Sequence, residues 1–357
     1  MTTRPRLTPA IADVRRAVRA ALPAFRNDGD SEGATDPARR GSTQERESPS
    51  FRKGAGLVLV ALSGGPDSLA LAAATAFEAQ RTGIRAGAAV IDHGLQPGSA
   101  DVAARAADQA RALGLDPVLV KRVEVGAAGG PEAAARDARY AALAEAAAET
   151  AAESVLLGHT LDDQAESVLL GLGRGSGTGS IKGMASRSGV YVRPLLQVRR
   201  TVTEQFCMDS GLEPWHDPQN DDERFTRVRV RKTVLPMLER ELGPGFAEAL
   251  SRTAWLARED GEALDGFAEE QLEELAEHAE AGISLPVKAL AANPAALRQR
   301  IIRMTVKAEF GVSLGRGHTM EVARLVTDWS GQDALDLPGV KVERQGGLLI
   351  FTSNHSS

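Results

Sequence analysis

The chain has 357 residues, 43% hydrophobic and 25% charged, with 42 Lys and Arg against 48 Asp and Glu, so it can bury a substantial core and carries a net charge of −6. Its one cysteine, Cys207, excludes an internal disulfide, a CxxC pair and a cysteine-rich zinc site. No apolar run reaches membrane-helix length and the polar MTTRPRLT start lacks a signal-peptide core, so a cytoplasmic protein with no membrane partner is expected.

Thr8 and Pro9 read as the cap and first residue of a helix whose apolar stripe is Ile11, Val14, Val18, Ala21 and Leu22. This N-terminal helix is assigned to 1–26. Residues 27–55, rich in Gly, Ser, Arg and acids with almost no aliphatics, are expected to be a disordered insert. The aliphatic run 57–62 then reads as a buried parallel strand. It stops at Ser63, Gly64, Gly65, Pro66, Asp67 and Ser68, where glycines let backbone N–H groups approach an anion and a helix starting near Pro66 adds partial positive charge. No lysine lies between Lys53 and Lys121, which rules out a Walker A loop, and the glycine spacing does not fit G-x-G-x-x-G.

Helices are expected over 67–80, 101–113 and 131–150, alternating with strands over 85–92, 117–123 and 154–158. This alternation predicts an α/β fold with a doubly wound parallel sheet, assigned to 56–201 as the domain that carries the phosphate-cradling turn. Ligands of such sheets bind outside the carboxyl ends of the strands, where Ser63, Asp92 and His159 fall. Asp163 and Glu166, three apart, share a helical face. They read equally as a working carboxylate pair or as the acidic first turn of a solvated helix. The glycine-rich stretch 173–179 is expected to be a mobile loop.

From Tyr191 the alternation stops. Arg227, Arg229 and Arg231 alternate with Val228 and Val230, so an extended or helix-entry segment would offer several cations to phosphates. The alternative pairs them with Asp217, Asp221, Asp222 and Glu223 just upstream. An acidic helix over 247–281, helices over 285–308 and 318–329, and a hairpin within 334–352 around Gln345, Gly346 and Gly347 complete the chain. A second, smaller, mainly helical domain is therefore placed at 202–357.

The SGGPDS segment at 63–68 resembles the PP-loop of N-type ATP pyrophosphatases. IDHGLQPGS at 91–99, EAAARDARY at 132–140, GHTLDDQAES at 158–167, RGSGTGSIKGM at 174–184, RPLL at 193–196 and DPQN…RVRVR at 217–231 are similar, in order, to motifs of tRNA(Ile)-lysidine synthases. The resemblance implies a ligase that adenylates the wobble cytidine of tRNA(Ile) with a CAU anticodon, using ATP and Mg²⁺, and then joins free L-lysine to it with release of AMP. It implies catalytic roles for Asp67, Asp163 and Glu166, and ATP binding by Ser63, Gly64, Gly65, Pro66, Asp67, Ser68, Asp92 and His159. Mg²⁺ would lie at Asp67, and tRNA would meet Arg136, Arg139, Arg193, Arg227, Arg229 and Arg231. Gln96, Thr160, Ser167 and Val228 stand where the family often has Arg, His, Thr and Asn. Rival readings are a tRNA-thiolating enzyme, which a lone Cys207 argues against; an amide-forming PP-loop ligase, which leaves EAAARDARY and the arginine run unexplained; and a tRNA-binding protein that has lost its chemistry, which an intact SGGPDS argues against. A homodimer is left open.

Overall fold

Five aliphatic residues with no exposed side chain form the central strand β1 (Leu57–Ala61), and the rest of the first unit is laid around it. The computed structural model describes residues 7–22, 56–94, 98–123, 131–175, 177–279 and 282–354, so the insert expected at 27–55 lies outside the described residues. The backbone divides into two compact units, Met1–Ala254 and Trp255–Ser357.

In the first unit, α1 (Pro9–Ala21) is capped by Thr8 and buries Ile11, Val14 and Val18. After β1 come α2 (Pro66–Thr82), β2 (Arg85–Asp92), α3 (Ser99–Ala112), β3 (Val118–Arg122), α4 (Pro131–Thr150), β4 (Ser154–Leu157), α5 (Leu161–Arg174), the single turn α6 (Thr178–Ile181), β5 (Arg187–Ser188) and β6 (Tyr191–Val192). The strand order is β3-β2-β1-β4-β6-β5, parallel except for β5. The chain winds outward from β1 through β2 to β3, then crosses back to place β4 on the other side of β1. That reversal is the switch point at which such sheets hold their ligands. Part of the stretch expected to be a mobile glycine loop is the turn α6.

Beyond the sheet lie α7 (Arg200–Asp209), α8 (Thr226–Arg229), a π turn at Val230–Val234, α9 (Leu235–Leu242) and the long α10 (Phe246–Leu275). Helix α7 packs on α1 and α2, and its Phe206 and Cys207 sit in the same core as Val58 and Leu71. The first unit therefore does not end at 201, where the sequence reading placed its boundary. What stops near Tyr191 is the strand alternation, while the helices that follow still pack on α1, α2 and α5 of the same unit. Cys207 is buried, its thiol directed at the Pro66 carbonyl at 3.4 Å, and burial pushes it up to about 12.

The second unit contains β7 (Glu277–Ala279), β8 (Gly282–Pro286), α11 (Val287–Ala292), α12 (Ala295–Phe310), α13 (Arg316–Thr327), β9 (Leu335–Leu337), β10 (Val340–Gln345) and β11 (Leu348–Ser353). Its sheet has the order β7-β8-β11-β10-β9 and is antiparallel throughout. Ile283, Leu285, Ile301, Ile302, Val322, Val340 and Phe351 form its core. The hairpin expected around Gln345 is β10–β11, turning through Gly346 and Gly347, both at positive φ. Strands β7 and β8 occupy residues that the sequence reading gave to helices over 247–281 and from 285. Short apolar runs such as ISLP carry no period long enough to separate strand from helix.

Candidate active site

The turn after β1 is built by hydrogen bonds among its own residues. Ser63 N–H donates to Ser68 Oγ at 3.2 Å, Ser68 Oγ donates to the Gly65 carbonyl at 3.0 Å, and the Ser63 and Ser68 hydroxyls lie 3.1 Å apart. Gly64 sits at φ +84, a left-handed conformation that a side chain would strain. Pro66 begins the seventeen-residue α2, so the first free N–H groups of that helix face the turn. Gly158, at the end of β4, packs so tightly on the start of α2 that a Cβ there would lie 3.1 Å from Ser68 Cα.

A cavity of about 360 Å³ opens beside this turn. Its lining includes Ser63, Gly65, Asp92, Arg139, Trp215 and Asn220. Asp92 accepts from Gly94 N–H at 2.9 Å. Burial pushes its carboxyl up, but that N–H, Ser99 and Arg122 outweigh burial and leave it below the usual range. A second cavity, about 220 Å³, is lined by His93, Ala135, Arg136, Arg139, Tyr140, Leu157 and His159. His93 and Arg139 border both cavities. In each of His93 and His159 the Nδ1 atom is buried with no hydrogen-bond partner. Burial pulls the His159 imidazole down to about 3, so it is neutral at physiological pH.

Next to His159 lies a cluster of three carboxylates and three guanidiniums. Asp163 is the N3 residue of α5 and completes a capping box: its Oδ2 accepts from Thr160 N–H and Thr160 Oγ1, both at 2.8 Å. Its Oδ1 accepts from Arg200 Nη2 at 2.9 Å and Arg231 Nη2 at 3.4 Å. Burial pushes Asp163 up, yet Arg200, Arg227 and the Thr160 N–H overcome it and hold the carboxyl at about 2. Glu166, with no exposure, accepts from Arg227 Nε at 2.8 Å and Arg231 Nε at 2.7 Å. Arg200 Nη1 lies 3.6 Å from it. Asp67 accepts from Arg200 Nε at 3.1 Å and, through its other oxygen, from Thr203. Burial raises Asp67 in spite of these two donors.

The open choice for Asp163 and Glu166 is thereby decided against a solvated helix face. Asp163 both caps α5 and joins a buried ion-pair cluster with Glu166. The arginine run is a helix entry, one of the two forms the first sequence reading allowed, and Arg227 and Arg231 pair with carboxylates other than those just upstream. Thr226–Arg229 and the π turn are helical, so Arg227 and Arg231, four residues apart, share a face and reach Asp163 and Glu166. Arg229 points elsewhere and donates to the Glu223 and Arg224 carbonyls at 2.7 and 2.8 Å. The acids just upstream are served by other residues: Lys232 takes Asp221 and Arg224 takes Asp222. The turn widens ahead of Pro236, whose missing N–H interrupts the helical ladder, and Leu235 N–H bonds the Val230 carbonyl instead. Arg193 is buried and donates to the Ala185 carbonyl at 2.9 Å and to Tyr140 OH at 3.4 Å. Of the six arginines expected to meet tRNA, Arg136 is exposed over the Tyr140 ring and Arg139 lines both cavities.

Sequence reasoning missed Arg200, Thr203, Trp215 and Tyr140. Arg200 links Asp67 to Asp163 and Glu166, and Asp162 Oδ2 accepts its backbone N–H at 2.7 Å, which fixes the start of α7. The only signal was its place in the basic VRPLLQVRR segment.

For Mg²⁺, no group of three or more His, Cys, Asp or Glu able to hold a metal occurs among the described residues. Both oxygens of Asp67 already accept bonds from Arg200 and Thr203. A cation at the glycine turn would therefore share the Asp67 oxygens with Arg200 and Thr203. Among the described residues, no helix is long and apolar enough to cross a membrane.

A glycine turn with the sequence SGGPDS, joining a buried strand to a helix at the switch point of a parallel sheet, is that of a PP-loop ATP-binding protein, and residues 41–238 match the PP-loop domain family. Residues 285–349 match the TilS substrate binding domain. The chain belongs to the tRNA(Ile)-lysidine synthase family: it is 61% identical over 336 residues to the tRNA(Ile)-lysidine synthase of Leifsonia xyli, covering 94% of this chain and 97% of that protein. It is 48% identical over 301 residues to the tRNA(Ile)-lysidine synthase of Thermobifida fusca, covering 84% of this chain and 92% of that one. Among solved structures, the U34-tRNA thiolase NcsA from Methanococcus maripaludis with its 4Fe-4S cluster is similar in fold, with TM-score 0.52 and 17% identity over 70% of this chain and 80% of that one.

Proposed function

We propose that the protein joins free L-lysine to C2 of the wobble cytidine of tRNA(Ile) with a CAU anticodon, consuming Mg²⁺-bound ATP in the cytoplasm. The observation that carries this reading is the pair of adjoining cavities at the carboxyl ends of the parallel strands, one beside the glycine turn and one beside His159, with His93 and Arg139 bordering both. ATP fills the first and the cytosine enters the second, so that the base and the α-phosphate meet at the common border.

The C2 carbonyl oxygen attacks the α-phosphorus, the bond to the bridging oxygen breaks, and pyrophosphate leaves. The ε-amine of lysine then adds to C2, the C2–O bond breaks, and AMP departs with that oxygen. Ser63, Gly64, Gly65 and Ser68, with the N-terminus of α2, hold the phosphates. The neutral His159 hydrogen-bonds the base without adding charge to it. Arg136, exposed at the mouth of the second cavity, meets the RNA backbone. Lysine's amine has an unperturbed pKa of about 10.4 and must lose a proton before it attacks. Its ammonium competes with Arg227 and Arg231 for Asp163 and Glu166, which orient it toward C2.

Incubation with ATP, labelled lysine and anticodon-defined transcripts tests the reading. Label in CAU transcripts, with AMP and pyrophosphate in equal amounts, is expected. Glu166→Gln is expected to lower lysine transfer ~10² to 10⁴-fold. Pyrophosphate release with no lysine in the RNA would overturn the lysine assignment.

A further inference from the structure

Trp215 lies about 150 residues beyond the glycine turn in sequence, yet its backbone N–H donates to the Gly64 carbonyl at 2.9 Å. Two residues earlier, the Glu213 carbonyl accepts from Gln109 Nε2 of α3 at 2.8 Å. The segment is therefore fixed at two points, on the glycine turn and on α3. Trp215 itself borders the 360 Å³ cavity on one side and, on the other, a groove lined by Arg105, Asp108 and Gln109. The same cavity is lined by Val102 and Ala103 of α3 and by the aliphatic end of β2, Ala89, Val90 and Ile91. Just after Trp215, Asp217 caps a short 3-10 turn, Pro218–Asp221, by accepting from Gln219 N–H at 2.9 Å. That turn brings the amides of Gln219 and Asn220 to the rim of the cavity.

The geometry points to Trp215 as the clamp for the nucleotide base, a specificity residue supplied by a segment that follows the parallel sheet. The inference rests on the reading that this cavity takes ATP. A flat base laid on the indole gains stacking area, the small aliphatic lining adds apolar contact, and a purine gains more of both than a pyrimidine. The rim amides both donate and accept, as the edge of a base requires. The phosphates, held by the glycine turn, gain nothing directly from the indole. Trp215 therefore has two separable roles: its backbone supports Gly64, and its side chain grips the base.

The two roles are separated by comparing ATP, CTP and inorganic tripolyphosphate, each titrated calorimetrically into the full-length chain and its variants. Trp215→Ala is expected to weaken ATP about 5- to 150-fold, the range for loss of one stacked base. It should narrow the preference for ATP over CTP and leave tripolyphosphate affinity within about twofold, since the backbone N–H to Gly64 is retained. Trp215→Phe should recover most of the loss. An equal loss for ATP and tripolyphosphate would overturn the clamp and make Trp215 a support for the turn, and so would unchanged ATP affinity. If Trp215→Ala does not fold, Trp215→Phe and Trp215→Leu decide, with Leu expected to lose ATP-over-CTP preference and Phe to keep it; equal behaviour of the two would overturn the proposal. A wild-type chain that binds neither ATP nor tripolyphosphate would instead sink the ATP reading beneath it.

Discussion

Arg200 donates from Nε to Asp67 Oδ2 at 3.1 Å across 133 residues of chain. Through this bond the helix that follows the sheet is tied to the glycine turn, and the same guanidinium reaches Asp163 at 2.9 Å. Removing one partner of a buried pair leaves the other charge stranded, typically at a cost of about 3 to 5 kcal/mol. Arg200→Ala is expected to lose stability of that order in urea unfolding and to abolish AMP formation. Arg200→Ala combined with Asp67→Ala should recover part of the stability and none of the activity. A single variant as stable as the wild type would show that the cluster is not the buried network described.

Arg227 and Arg231 pair with Glu166, whereas Arg136 is exposed, so the two kinds of cation should respond differently to tRNA. Each phosphate contact contributes roughly 0.7 to 0.9 to the slope of log affinity against log salt. Arg136→Ala is expected to reduce that slope for tRNA by about this amount and to leave the melting temperature unchanged. Arg227→Ala is expected to lower the melting temperature and leave the slope unchanged. Labelled-tRNA titrations at several salt concentrations, with a melting curve for each variant, check both.

Acid stability should report His159 before any carboxylate. Its folded value, about 3, lies below the ordinary 6.5, so its contribution to stability is complete above pH 6.5 and is lost as pH falls toward 3. At pH 5 the loss amounts to about 2 kcal/mol. Asp163 acts lower, with its contribution complete above the ordinary 3.8 and lost on the way to about 2. Asp67 has the opposite sign: its raised value favours the folded state below 3.8, and that advantage fades as pH rises. His159→Gln is expected to flatten the fall in urea midpoint between pH 7 and pH 5. An equal fall in both proteins would assign the acid sensitivity to other groups.

The two glycines of the turn should respond differently to alanine. Gly64 is left-handed at φ +84, and a side chain there costs roughly 1 to 2 kcal/mol. Gly65 lies at φ −71 with no atom closer than 3.8 Å to an added Cβ. Gly64→Ala is therefore expected to lose stability of that size together with activity, whereas Gly65→Ala should keep its stability to within about 0.5 kcal/mol. Thermal melts of the two variants provide the comparison.

The glycine turn and the alternating sheet elements were legible in the sequence because each depends on local pattern: an aliphatic run, a Gly-Gly-Pro stop, a helical stripe. The hairpin at Gly346 and Gly347 was legible for the same reason. Asp163 was found but its role was not, because capping and ion pairing use the same residue at the same place in a helix. In the arginine run, alternation with valine left an extended form and a helix entry equally open. Period two suggests one cationic edge, whereas a helix widened ahead of Pro236 turns Arg227 and Arg231 inward and Arg229 away. Arg200 and Trp215 were out of reach, since nothing near either residue marks a partner more than a hundred positions upstream.

Cys207, buried against the start of α2 with its thiol pushed up to about 12, is the sole cysteine of the chain. At neutral pH it has almost no thiolate to offer an alkylating reagent or an oxidant. The wild-type protein is thus a ready-made silent background for site-directed labelling. A cysteine introduced at an exposed position can be tagged or crosslinked to RNA with no need to strip native thiols first. The ligase should also keep working under oxidising stress that disables enzymes whose chemistry runs through sulfur.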